Sequence, residues 1–222
     1  MKKVLGATLV CLALVFSQAS ASPLMDYGEG KGSVDVSWRP SGLNLSGNTN
    51  GHPRDKDNPD AAITLGIGHN FAFQYRHYAA ESEYTPGHFR GIASSANWKL
   101  TTDEFTVLYK LDKNISAFAG MVSAKGDMNA IGVFRYTTDT RNLWQVGFQL
   151  VATLAPKTTG WLRAGAGNDL TNWEAGLSYR LSDNLELGAT YREIEAKNLH
   201  INSISQVSAK SKGLGFGLTL KF

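Results

Sequence analysis

The chain has 222 residues, with 22 Lys and Arg against 19 Asp and Glu, a formal net charge of +3 and 42% hydrophobic residues. That length suits one domain with a sizeable buried surface, and the composition marks no second one. The near balance of charge argues against a basic nucleic-acid-binding surface, and a single cysteine excludes a disulfide scaffold.

The first segment carries Lys2 and Lys3, then the apolar run Val4 to Phe16, then Ala19-Ser20-Ala21. This is the order of a signal peptide: charged start, short apolar stretch, small-residue cleavage site. A membrane-anchoring helix needs roughly 20 apolar residues, and this run is well short of that. The reading assigns residues 1–21 to a cleaved signal peptide and 22–222 to one folded domain that starts at Ser22. Cleavage removes Lys2 and Lys3, so 20 basic residues face 19 acidic ones and the net charge falls to +1. It also removes Cys11, which leaves no thiol nucleophile and no thiolate metal ligand. Beyond this segment no apolar run reaches the length of a spanning helix, yet glycine and aromatic residues are plentiful. Among exported chains, that leaves a soluble β protein or a membrane barrel.

Period-two alternation runs along the whole chain, and it is the pattern of strands with one apolar face. Val34, Val36 and Trp38 alternate with Ser33, Asp35, Ser37 and Arg39. Further on, Trp144, Val146, Phe148, Leu150 and Ala152 face one way, with Gln145, Gly147, Gln149 and Thr153 facing the other. Trp173, Ala175, Leu177, Tyr179 and Leu181 repeat the pattern, as do Leu185, Leu187, Ala189 and Tyr191.

A soluble sandwich alternates in the same way, so other features must decide what the apolar face meets. The opposite face is rich in glycine and in both signs of charge, as a narrow polar lumen would be. Tight connections at Gly68-His69-Asn70, Asp112-Lys113-Asn114, Ala155-Pro156-Lys157 and Ser182-Asp183-Asn184 alternate with mostly longer polar ones. Short periplasmic turns and longer outer loops have this arrangement. Aromatic residues gather near strand ends: Trp38, Phe105, Trp144, Trp173 and Tyr191 on the loop side, and Phe71, Tyr109, Tyr179 and Phe222 on the turn side. Such girdles mark the two membrane interfaces.

The segment Gly213 to Phe222 ends in Phe222, with Leu220, Leu218, Phe216 and Leu214 on the same face. It resembles the terminal strand of bacterial outer-membrane porin-like barrels. The resemblance is specific over the last ten residues and general over the rest. It implies an outer-membrane location, surrounding lipid, and recognition of Gly213 to Phe222 by the barrel-assembly machinery. It brings no catalytic residue and no cofactor.

The expected fold is therefore all-β, a transmembrane antiparallel up-and-down barrel. Both ends of the barrel should lie on the periplasmic side, so the strand number should be even. Ten strands fit best, near 30–40, 61–68, 70–79, 103–111, 114–123, 142–154, 158–167, 172–181, 184–195 and 211–222. Segments 41–60, 80–102, 124–141, 168–171 and 196–210 then become outer connections. Ala130 to Tyr136 and Phe89 to Leu100 also read as strands, and counting both gives twelve.

A Lys or Arg on the lipid face costs roughly 2 to 4 kcal/mol at the bilayer midplane, so charges within strands should face the lumen. Basic candidates are Arg39, Arg76, Lys110, Arg163, Arg180, Arg192 and Lys221, and acidic ones are Asp35, Glu104, Glu174 and Glu186. Placing Arg163 inside also places Trp161 inside, which leaves the phase of that strand open. A basic excess on the wall favours a porin-like channel for small, preferably anionic solutes. Interleaved acids and bases suit equally a non-conducting structural or adhesive barrel filled by salt bridges.

An enzyme is not the expectation. His52, His69, His77, His88 and His200 fall in loops or at strand ends, with no His-x-Ser or Gly-x-Ser-x-Gly arrangement among them. Asp55, Asp57 and Asp60 have calcium-like spacing, but no glycine or closing glutamate of an EF-hand accompanies them. They read as a solvated loop.

Overall fold

A computed structural model describes residues 22–46, 56–89, 92–201 and 205–222. Twelve strands run through them: β1 (Gly32–Ser46), β2 (Lys56–Gly68), β3 (Phe71–Glu81), β4 (Thr85–Phe89), β5 (Ile92–Asp112) and β6 (Ile115–Ala130) form the first half. The second half is β7 (Phe134–Thr137), β8 (Arg141–Ala155), β9 (Thr158–Gly167), β10 (Leu170–Arg180), β11 (Leu185–Ile201) and β12 (Ser205–Lys221). Ten of them close a ring in the order β5-β3-β2-β1-β12-β11-β10-β9-β8-β6, with β6 pairing back to β5. All pairings are antiparallel, and the ring is sealed where Ser33 of β1 faces Lys221 of β12. The expected ten-stranded barrel is thus present. The two segments behind the twelve-strand count fall differently, since Ile92 to Leu100 belongs to ring strand β5 and Ala130 to Tyr136 spans the end of β6, a turn and β7. The two extra strands are β4, which pairs only with β5, and β7, which pairs only with β6. Both lie outside the ring, as short hairpin extensions above it.

The turn end is tight because the sequence supplies the needed dihedrals. His69 and Asn70 have φ of 51° and 68°, as a two-residue hairpin turn of the primed kind requires. At the opposite end the predicted loops are shorter than expected, because the strands run further. Segments 41–60, 80–102, 124–141 and 196–210 are largely strand wherever they are described, and 168–171 is a two-residue turn at Asn168 and Asp169.

The reason is a change of polarity along each strand. In β5 the outward residues Val107 and Phe105 give way to Asp103, Thr101 and Lys99, while inward Thr106 and Glu104 give way to Leu100, Trp98 and Ala96. In β11 outward Leu187 and Tyr191 give way to Glu193 and Glu195, while inward Glu186 and Arg192 give way to Ile194 and Ala196. The alternation continues, with its sense reversed. Below the change the wall is apolar outside and polar inside. Above it, Leu43, Tyr78, Leu100, Val122, Leu143, Leu170, Ile194 and Leu199 bury one another in an ordinary hydrophobic core.

Candidate functional site: a filled bore

Inward positions of seven ring strands converge below that apolar cap. Four arginines and three carboxylates meet there: Arg39 on β1, Asp60 on β2, Arg76 on β3, Glu104 on β5, Arg163 on β9, Glu174 on β10 and Arg192 on β11. Arg39 and Arg192 are each 1% exposed. Arg76 Nη1 donates to Glu174 Oε2 at 2.6 Å, and Arg39 Nη2 lies 3.5 Å from the other oxygen of Glu174. Asp60 gathers three cations, with Arg39, Arg76 and Arg192 at 3.4, 3.5 and 3.5 Å. Arg192 also donates to Glu104. Arg163 donates to Gln74 and, at 3.5 Å, to Thr106 Oγ1.

Several of these contacts cross the bore. In the ring order β3 and β10 lie on opposite walls, as do β5 and β11. The pairs Arg76 with Glu174 and Arg192 with Glu104 are therefore struts across the diameter. Buried charges at such low exposure persist only where partners replace water, and the cross-bore pairs supply them.

Below the charged layer lies a second apolar one. Leu24 and Tyr27, from the stretch ahead of β1, pack with Ala72, Leu108 and Phe118. Aromatic rings enter the bore where glycine makes room on the facing strand. Phe118 faces Gly147 in register, and Trp161 faces Gly176, where a Cβ would lie 2.7 Å from the Trp161 ring. This fixes the phase left open in β9: Trp161 and Arg163 are inside, and Leu162 is outside.

Among the residues expected in the lumen, Arg39, Arg76, Glu104, Arg163, Glu174 and Arg192 form the central cluster, and Glu186 is buried near the turn end. Asp35 accepts hydrogen bonds there from Thr219 and Ser33, and Lys221 donates to Glu186 at 2.6 Å. Lys110 holds an inward position at the turn end and is half-buried, whereas Arg180 lies exposed at the rim. Asp60 was not among the expected lumen residues, because it stood at the edge of a segment read as a loop. Instead residues 56–60 begin β2, with Asp57 exposed and Asp60 inside. These two carboxylates point to opposite faces and cannot share an ion. Asp55 and His52 lie outside the described residues.

His88 and His200 lie one residue from the ends of β4 and β11, as expected, whereas His77 lies within β3. His77 Nδ1 is 2.8 Å from Asp103 Oδ1, and the Tyr75 hydroxyl donates to the same oxygen at 2.7 Å. Partial burial raises the Asp103 pKa, but these hydrogen bonds outweigh it and hold the carboxyl below its ordinary value. Ser123, the register partner of Asp103, donates to Asn142 at 2.6 Å rather than to a histidine. Higher on the wall, the Glu193 carboxylate raises the pKa of Lys210.

No family profile and no curated protein matches the chain. Among solved structures it is similar to Ail, the attachment invasion locus protein of Yersinia pestis, in complex with the heparin analogue sucrose octasulfate. That similarity has 9% identity and a TM-score of 0.47, over 87% of this chain and 99% of that one. Neisserial surface protein A is similar at 12% identity and a TM-score of 0.43, over 87% and 100% of the two chains. OprG of Pseudomonas aeruginosa is similar at 8% identity and a TM-score of 0.39, over 90% and 99%. The closed ring, its exposed apolar belt and its charged interior define a transmembrane β-barrel with a filled bore.

Proposed function

We propose that the chain is an exported outer-membrane barrel with a closed bore, which serves as wall, anchor or adhesive surface rather than as an open porin. The observation that supports this reading best is the pair of ionic struts, Arg76 to Glu174 and Arg192 to Glu104, spanning opposite walls. With an apolar layer above and another below, solute would have to displace paired buried charges to pass. The strands that rise above the apolar belt carry the surface available to partners, with Glu193, Glu195, Lys197 and Lys210 among the charges there.

A second reading, a narrow path for small anions, draws on one flank. The side-chain amide of Gln145, Oε1 of Gln149 and Nε1 of Trp161 have no hydrogen-bond partner among the described residues. These groups line the β8–β9 side, where the carboxylates of the network do not reach. Catalysis has less support, since among the described residues no serine hydroxyl is hydrogen-bonded to the imidazole of the His77 and Asp103 pair. Outer-membrane lipids are the expected surroundings, and Gly213 to Phe222 the expected signal to the barrel-assembly machinery.

Single-channel recording of refolded protein in planar bilayers tests the closed bore. The expected outcome is no sustained conductance in potassium chloride. A steady, anion-selective conductance that Gln145→Leu abolishes would overturn the closed barrel and favour the flank path.

A further inference from the structure

Residues 22–31 precede the barrel wall, and they turn back into its mouth. Lys31 N donates to Gly28 O at 3.1 Å in a tight turn, and the strand that follows enters the ring. Before that turn the segment touches wall after wall. Gly68 N of β2 donates to Tyr27 O at 3.0 Å, and the Tyr27 hydroxyl donates to Ser116 Oγ of β6 at 2.9 Å. Met25 Sδ lies 3.4 Å from Gln149 Nε2 of β8. Ser22 reaches Glu186 of β11, its backbone nitrogen at 3.2 Å and its Oγ at 2.5 Å from the same carboxylate oxygen. The other oxygen of Glu186 takes Lys221 Nζ at 2.6 Å, and Lys221 also donates to Ser22 Oγ at 3.0 Å. Even the wall is shaped for this passage, since a Cβ at Gly66 would collide with the Gly28 carbonyl.

Ser22 is 3% exposed, an unusual position for a residue next to a cleavage site. Termini are normally solvated unless something ties them down. Here the backbone nitrogen of Ser22 points at a carboxylate that already holds one cation. We propose that cleavage after Ala21 completes this contact, so that the freed α-amino group of Ser22 anchors residues 22–30 as a plug in the periplasmic mouth. A leader peptidase adds water across the Ala21–Ser22 peptide bond. Ala21 leaves with the carboxylate, and the Ser22 amine takes up a proton. The neutral amide donor facing Glu186 becomes an ammonium, and a hydrogen bond charged on the acceptor side alone becomes one charged on both, in a site screened from solvent. Processing thus releases the leader and creates the charge that holds the new end in place. The proposal rests on the exported barrel proposed above.

The test uses the protein extracted from membranes in mild detergent. Its intact mass is expected to begin at Ser22. Periodate cleaves the 2-amino alcohol of an N-terminal serine and of no internal one, so it reports access to this amine. Oxidation of the native barrel should run at least about tenfold slower than that of the heat-unfolded chain, because reaction must wait for local opening. Glu186→Gln should bring the native rate close to the unfolded one while the heat-modifiable gel shift persists; equal protection in this variant overturns the anchor. If Glu186→Gln fails to fold, the wild-type comparison still decides, because equal native and unfolded rates overturn the plug. A mass that retains residues 1–21 overturns the processing reading itself. A start at Ser22 with full native reactivity overturns only the anchor.

Discussion

The lower and upper halves of this barrel share the same ten strands yet solve opposite solvation problems. Below the change of polarity, Val34, Phe105, Val146 and Leu214 face outward, while Arg39, Glu104, Gln145 and Thr219 fill the interior. Above it, Lys99, Lys125 and Glu193 face outward, and Leu43, Leu100 and Ile194 fill the interior. A strand has no preference for either arrangement, since its two faces differ only in which solvent each meets. The switch therefore marks one edge of the membrane by side-chain polarity. It runs between Phe105 and Asp103 on β5, between Met121 and Ser123 on β6, and between Leu214 and Lys212 on β12.

The two halves should fail differently when their interiors are altered. The largest effect is expected for Glu174→Ala, which strips Arg76 and Arg39 of a shared carboxylate. Leaving buried charge uncompensated costs about 3 to 5 kcal/mol, to be read as a lowered urea midpoint in micelles; an unchanged midpoint would mean that water already solvates the bore. Next comes Leu100→Ala in the upper core, where lost burial and a residual cavity should cost about 3 kcal/mol by the same measurement. Its conductance should stay nil, since the ionic struts lie in the other half.

The smallest effect concerns the border itself. The Asp103 pKa is lowered in the folded chain, so its contribution is present above the unfolded pKa and is lost as pH falls through the lower folded one. The pair with His77 is well exposed, so only a few tenths of a kcal/mol are at stake. Between pH 5 and pH 3 the wild type should lose slightly more stability than Asp103→Asn. Identical losses would show that the Tyr75 and His77 contacts contribute nothing to stability.

Much of the lower half was legible in the sequence because lipid demands an unbroken apolar face. The runs through Trp144, Trp173, Leu187 and Leu214 each gave strand, phase and outward face together. Most of the upper half read as loop, because charged outward residues such as Lys125 on β6 and Lys210 on β12 give the same composition as a loop. Asp60 was missed for that reason, although it binds three arginines. The inward placement of Trp161 had a signal that single-strand reading does not use, namely glycine at the facing position on the next strand, here Gly176. Residues 22–29 carry no periodicity at all, so nothing in their pattern announced a role inside the barrel. The inward charges themselves were easy to choose, but which charge meets which depends on the ring order, and no local pattern encodes that.

The seam between β1 and β12 sets the timing of folding. Gly32 and Phe222 exchange backbone hydrogen bonds of 2.8 and 3.0 Å, joining positions from opposite ends of the ring. Every other wall contact can form as neighbouring hairpins emerge, but this one must wait for β12 to be made. Until then β1 and the growing edge expose unpaired backbone and apolar side chains, the conditions under which chains aggregate. Closure is therefore a single late event that converts two sticky edges into none.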